Sequence, residues 1–102
     1  MKVEDVLKLL KEDMYDYELK MSCMELDYTR ENPNSADCGY LYNDCDCATF
    51  EIDWNHKIKT KVAELFAFGL TNDLISWDCD DGNIIDFKDI IIDNKNKQVI
   101  LV

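Results

Sequence analysis

Cysteine and histidine are the side chains of this sequence best suited to metal binding, and several of them lie close together. Four fall within nineteen residues, and these are Cys38, Cys45, Cys47 and His56. Thiolate and imidazole are the ligands of structural zinc, whose motifs usually place about two to four residues between paired cysteines. Only one residue separates Cys45 from Cys47, so on a strand their side chains would lie ~6.7 Å apart. We therefore predict that the protein binds no metal ion and no other cofactor.

The titratable residues do not indicate an enzyme. His56 is the only histidine, and its neighbours Asn55 and Lys57 favour a solvated surface position. A nucleophilic cysteine needs a positive field that lowers the pKa of its thiol, whereas the cysteines here have acidic neighbours. Those neighbours include Asp37, Asp44, Asp46, Asp78 and Asp80. We predict a protein without catalytic residues.

The acidic run at residues 77–83 resembles a calcium-binding loop but fails its template. With Gly82 at the sixth position, Trp77 stands first and Lys88 stands twelfth, where an EF-hand requires carboxylates. The Asp-Gly pair at residues 81–82 favours a hairpin turn instead.

Acidic residues dominate the charge of the chain. The 22 acidic and 11 basic side chains give a formal net charge of −11, and neither residues 31–56 nor residues 62–87 contain Lys or Arg. Nucleic acids and anionic membranes would be repelled by this charge, so neither is expected as a direct partner. The expected partner is the basic surface of a nucleic-acid-binding protein. The residues predicted to contact it are Asp44, Asp46, Glu51, Asp53, Asp78, Asp80 and Asp81.

Strand geometry gives these acids a spacing relevant to such a partner. Alternate residues of a strand recur every ~6.7 Å on one face, which is on the scale of phosphate spacing in nucleic acids. Pairs such as Glu51 and Asp53 would therefore imitate a phosphate backbone. Aromatic residues near the acids supply candidate interface anchors, and these are Tyr28, Tyr40, Tyr42, Trp54 and Trp77. Trp54 is the one most expected in the core.

The apolar pattern predicts one helix and one long strand in the first part of the chain. The spacing of Val3, Val6, Leu7 and Leu10 indicates an amphipathic helix over residues 2–13. Alternating apolar residues then predict a strand over residues 15–28, with a bulge near Cys23. Residues 29–37 contain the only proline and no large apolar side chain, so an exposed loop is expected there.

Three hairpins are predicted in the rest of the chain. Their strands are residues 38–42 with 45–54, 74–79 with 84–87, and 90–93 with 98–102. In the strand at 45–54, alternation assigns Phe50, Ile52 and Trp54 to the core, and Glu51 and Asp53 to solvent. Residues 56–70 fit both a strand and a helix, and the pattern slightly favours the helix.

Length and composition set the fold class. A chain of 102 residues with 47% hydrophobic side chains is expected to form one globular domain over residues 1–102. The predicted fold is α+β, with a mostly antiparallel sheet of five to seven strands. An N-terminal helix would pack on one face, together with a second helix if residues 56–70 are helical. Five cysteines and a charged N-terminal segment predict a cytoplasmic protein without a membrane span.

In size, acidity, free cysteines and α+β pattern, the chain resembles the small acidic inhibitors of phages and mobile elements. These include DNA mimics and some anti-CRISPR proteins. The resemblance implies an inhibitor that blocks the nucleic-acid-binding surface of a host protein without catalysis. The alternative is a structural or assembly module of a larger complex or a homo-oligomer, and a zinc-stabilised adaptor ranks third. The sequence predicts no particular oligomeric state.

Overall fold

The computed structural model describes residues 1–22, 36–77 and 82–102, in which eight strands form two four-stranded sheets. The strands are β1 (Glu18–Met21), β2 (Gly39–Asp44), β3 (Cys47–Ile52), β4 (Thr60–Lys61), β5 (Leu74–Trp77), β6 (Ile84–Asp86), β7 (Ile90–Asp93) and β8 (Gln98–Leu101). Sheet 1 has the order β4-β1-β8-β7, and sheet 2 has the order β2-β3-β5-β6. The helical segments are α1 (Val3–Lys8) and the 3₁₀ helices Glu12–Met14 and Val62–Ala67.

One apolar core joins the two sheets. Its members from sheet 1 include Leu19, Met21, Val99 and Leu101, and those from sheet 2 include Ala48, Phe50, Ile52 and Leu74. The α+β class is confirmed, but the expectation of a single sheet of five to seven strands is wrong. The strands form two separate sheets because they pair in two separate groups. β1 pairs in parallel with β8, whereas the β2–β3 hairpin pairs through β3 with β5. Each sheet then buries apolar side chains that a layer of helices would otherwise cover.

The N-terminal helix is confirmed but is shorter than predicted. α1 ends at Lys8, and the predicted range continues as a separate 3₁₀ helix. Val6 and Leu10 are both buried, as predicted. Among the described residues, no helix is long and apolar enough to cross a membrane.

Two other segments differ from their predictions. The described part of the first strand covers only Glu18–Met21, and the predicted bulge near Cys23 lies outside the described residues, as does the predicted loop up to residue 35. Residues 56–70 contain both candidate structures, because β4 leads directly into the 3₁₀ helix Val62–Ala67. Glu64 accepts a hydrogen bond from the Lys61 backbone N at 2.7 Å and so caps this helix.

Antiparallel pairing confirms all three predicted hairpins. In the first, Asp44 pairs with Cys47, and Cys45 and Asp46 form a two-residue turn with φ angles of 48° and 65°. Positive φ at both positions is the geometry of a type I′ turn, which follows the right-handed twist of the strands. This turn lies two residues beyond the predicted turn at residues 43–44.

Candidate protein-binding face

Strand alternation places one set of side chains of sheet 2 on the face opposite the core. Tyr40 is paired with Glu51 and Tyr42 with Thr49 across β2 and β3. The parallel pairing of β3 with β5 adds Ile75 beside Thr49, and antiparallel pairing extends the face to β6. The outer face of sheet 2 therefore consists of Tyr40, Tyr42, Asp44, Cys47, Thr49, Glu51, Ile75, Trp77, Ile84 and Asp86.

Three aromatic residues and one carboxylate on this face are linked by hydrogen bonds and ring contacts. The Tyr40 hydroxyl donates to Glu51 Oε2 at 2.8 Å. The Tyr40 and Tyr42 rings have centroids 6.1 Å apart, and the Trp77 indole N–H donates to the Tyr42 hydroxyl. We call Tyr40, Tyr42, Glu51 and Trp77 the aromatic-carboxylate cluster. Trp77 is 41% exposed, so the cluster presents a large ring to solvent.

The two phenols of the cluster are held in the neutral form. The hydrogen bond to Glu51, followed by partial burial, raises the pKa of Tyr40 above its ordinary value. Burial first, and then the charges of Glu51 and Asp44, raise the pKa of Tyr42. Both hydroxyls therefore stay protonated at neutral pH and above, and that of Tyr40 uses its proton in the bond to Glu51.

Thr49 lies beneath this face with an unsatisfied hydroxyl. Its side chain is fully buried, on the same face as its strand partner Tyr42. Thr49 Oγ1 has no hydrogen-bond partner within residues 1–22, 36–77 and 82–102. A buried hydroxyl without a partner destabilises the fold, and native structures contain few of them.

Acidic side chains lie in and beside the cluster. Glu51 belongs to the cluster, Asp44 is half-buried at the end of β2, and Asp46 is exposed in the adjoining turn. No Lys or Arg occurs in the four strands of sheet 2. Three of the seven predicted contact residues thus lie on or beside one face. Asp78, Asp80 and Asp81 lie outside the described residues.

Asp53 does not belong to this face, and the prediction that it points to solvent is wrong. The side chain is buried and accepts backbone N–H groups from Ile58 at 2.7 Å, Lys57 at 2.8 Å and Asn55 at 3.1 Å. These bonds, that from Ile58 foremost, lower the pKa of Asp53. The carboxylate is thus already occupied within the protein and holds the turn after β3 in place.

Trp54 is also misplaced by the strand pattern. It was predicted in the core but is 59% exposed, because β3 ends at Ile52 and the chain turns at Asp53. The same turn exposes Ile58 beside Lys57 and Lys59. Sequence reasoning missed this apolar and basic loop, although an Asp followed by polar residues is a recognisable turn signal.

The cysteines show no metal-binding geometry in the described part of the chain. Cys38 is buried, Cys47 is half-buried and Cys45 is exposed. No three His, Cys, Asp or Glu side chains within the described ranges are grouped closely enough to hold a metal ion. The hydrogen bond to Asp44 raises the pKa of the Cys45 thiol, as expected for a thiol beside carboxylates.

Comparison with protein-family models, curated proteins and solved structures returned no match for this chain.

Proposed function

We propose that this protein is a non-enzymatic protein-binding module that binds a basic surface through the outer face of sheet 2. The observation that carries the proposal is the aromatic-carboxylate cluster beside Asp44 and Asp46, on strands without a basic residue. The basic surface is that of a host nucleic-acid-binding protein. The module would then act as an inhibitor of the kind used by phages and mobile elements.

The aromatic part of the face supports a protein partner. Stable interfaces combine a central group of aromatic residues with a polar rim, and Trp and Tyr are the commonest residues of high energetic importance. Tyr40, Tyr42 and Trp77 form such a centre, and Asp44 and Asp46 form part of the rim. Ile84 is paired with Trp77 and is 57% exposed, so it extends the apolar area.

The charge of the face supports a basic partner. Opposite charges accelerate association and select the orientation of the complex. Carboxylates of the β2–β3 hairpin would take positions that phosphates occupy on the host protein. The mimicry would rely on Asp44, Asp46 and Glu51 and not on Asp53, whose oxygens accept backbone N–H groups within this chain.

An assembly module is the second candidate. It is favoured by the exposed apolar area of Trp77 and Ile84, which another subunit of a larger complex or a second copy could cover. The net charge of −11 opposes contact between two copies, so a heterologous basic subunit fits this role better.

The two functions are separated by a competition experiment. The tagged protein captures its partner from host extract, and labelled nucleic acid is then titrated against the purified complex. Under the inhibitor proposal, each ligand displaces the other, and the affinity of the protein falls as salt rises. Simultaneous binding of protein and nucleic acid would contradict inhibition by mimicry and favour the assembly module.

A charge-reversal variant tests the face itself. Changing Asp44, Asp46 and Glu51 to Lys should abolish partner binding while the circular dichroism spectrum stays unchanged. The matched control changes Glu12, Asp13 and Asp16 to Lys, which alters the net charge equally at exposed positions outside the sheets. An equal loss of partner affinity in both variants would show that binding depends on the net charge of the protein and not on this face.

A further inference from the structure

The aromatic-carboxylate cluster has the chemistry to select one type of cation. Glu51 contributes a negative charge, and the Tyr42 ring lies 6.1 Å from that of Tyr40, centroid to centroid. Trp77 follows Ile75 by two residues on the same face of β5, as Glu51 follows Thr49 on β3, and Ile75 pairs with Thr49. Oε2 of Glu51 accepts the Tyr40 hydroxyl. The Glu51 side chain is exposed, so its other carboxylate oxygen, Oε1, is accessible to a partner's donor.

Arginine fits this arrangement better than lysine does. A guanidinium is planar, stacks on aromatic rings and offers several N–H donors in a fixed plane. An ammonium is a compact and strongly hydrated point charge, so it loses more hydration on entering an apolar surface. Aromatic rings that flank a carboxylate thus favour the guanidinium through stacking and through charge-assisted hydrogen bonds.

The buried hydroxyl of Thr49 is a second and independent indication of a ligand. It lies on the same face as the cluster, fully buried, and its oxygen accepts no hydrogen bond from any described residue. A hydroxyl oxygen can accept from an N–H donor. A donor that displaces the side chains covering Thr49, beside its strand partner Tyr42, would offset the cost of this unsatisfied group.

We propose that the aromatic-carboxylate cluster binds an arginine side chain of the basic partner. The guanidinium pairs with Glu51, and its plane stacks on the rings of Tyr42 and Trp77. Charge complementarity supports this occupant, because the strands that form the face contain acidic residues and no basic ones. The inference rests on the proposed function and specifies the residue type that the face recognises.

Two peptides of equal length and charge test the proposal without knowledge of the partner. Tetra-arginine and tetra-lysine, each acetylated and amidated, are titrated into the full chain by calorimetry. Tetra-arginine should bind about tenfold tighter, since stacking and planar hydrogen bonding are added to the same net charge. Nuclear magnetic resonance should show that the Trp77 indole N–H shifts more with tetra-arginine than with tetra-lysine.

The variants E51Q and E12Q form a matched pair for this experiment. Both remove one negative charge from an exposed side chain, but only Glu51 lies in the cluster. E51Q should remove the preference for arginine, and E12Q should retain it. The amide that replaces the Glu51 carboxylate can still accept the Tyr40 hydroxyl, so the fold should be kept. W77F provides a second variant, and it should reduce the affinity for tetra-arginine more than that for tetra-lysine.

Equal affinity for the two peptides would overturn the proposal, and so would an unchanged preference in E51Q. Neither result would contradict the proposed function. That function is tested by competition between this protein and nucleic acid for the partner. Conversely, an arginine preference without such competition would support the cluster as an arginine site in an assembly module.

Discussion

The carboxylate of Asp53 and the backbone N–H of Ile58 are joined by a 2.7 Å hydrogen bond that closes the turn after β3. Asn55 and Lys57 donate to the same side chain, and the His56 backbone N–H donates to the Asp53 carbonyl oxygen at 2.9 Å. One residue therefore organises the segment that connects β3 to β4. Its role is in the fold, although its charge and position suggested a role in binding.

Replacing Asp53 by Ala should lower stability and loosen this turn. The variant leaves three backbone N–H groups without their acceptor, so the urea midpoint should fall and the amides of Asn55, Lys57 and Ile58 should exchange faster with solvent. The exposed Asp46 provides the control, and D46N, which keeps a residue suited to the positive φ of this turn, should leave both quantities nearly unchanged. Unaltered exchange in D53A would contradict the structural role.

Asp53 should also make stability depend on pH in the acid range. Its pKa is lowered in the folded protein by the hydrogen bonds from Ile58 and Lys57, relative to ~3.9 in an unfolded chain. The stabilisation is therefore complete above pH ~4 and is lost as the pH falls through the folded-state pKa. The difference in free energy of unfolding between the wild type and D53N should accordingly shrink in acid. A difference that stays constant down to the lowest pH would contradict this assignment.

Removing the buried hydroxyl of Thr49 should stabilise the protein. In T49V the unsatisfied oxygen is replaced by a methyl group in a strand, which should raise the free energy of unfolding by ~1 kcal/mol. Ser76 is the matched control, because its Oγ donates to the Phe50 carbonyl oxygen at 2.6 Å in the core. S76A should lose ~1 kcal/mol. Urea unfolding measures both changes, and a loss of stability in T49V would show that the hydroxyl is satisfied.

Phe50 and Trp54 provide a direct comparison between a core and a surface aromatic residue. Phe50 is fully buried, so F50A should cost on the order of 3 to 5 kcal/mol. Trp54 is mostly exposed, and W54A should change stability by less than ~0.5 kcal/mol. Denaturant unfolding of the two variants checks the orientation of β3 and the position where it ends.

The sequence predicted structure well where partners are close along the chain. Alternation in residues 45–54 identified the faces of β3 up to Ile52. Turn residues indicated all three hairpins, although the first turn lies two residues beyond its predicted position. The alternation of apolar and polar residues predicted the wrong environment for Asp53. This side chain accepts hydrogen bonds within its own turn, and an acidic residue at this position looks the same in the sequence whether it faces solvent or a turn. The parallel pairing of Glu18 with Gln98 could not be predicted, because the residues around each of them give no indication of a partner so far along the chain.

The candidate face was predicted in part for the same reason. Asp44, Asp46 and Glu51 were assigned correctly to one hairpin because its strands and turn consist of residues that are close along the chain. The contact between Tyr42 and Trp77 depends on β3 lying between β2 and β5, which is a property of sheet order. Residue types near the acids could suggest anchors but could not specify which ones meet.

The pairing of β1 with β8 has a consequence for synthesis on the ribosome. β1 leaves the exit tunnel before every other strand described, but its parallel partner in the centre of sheet 1 is the last of them. The apolar residues Leu19 and Met21 of the nascent chain therefore lack their partners Val99 and Leu101 until β8 has been translated. The β2–β3 hairpin needs only nearby residues and can form first, whereas closing sheet 1 carries the entropy cost of the long loop between β1 and β8.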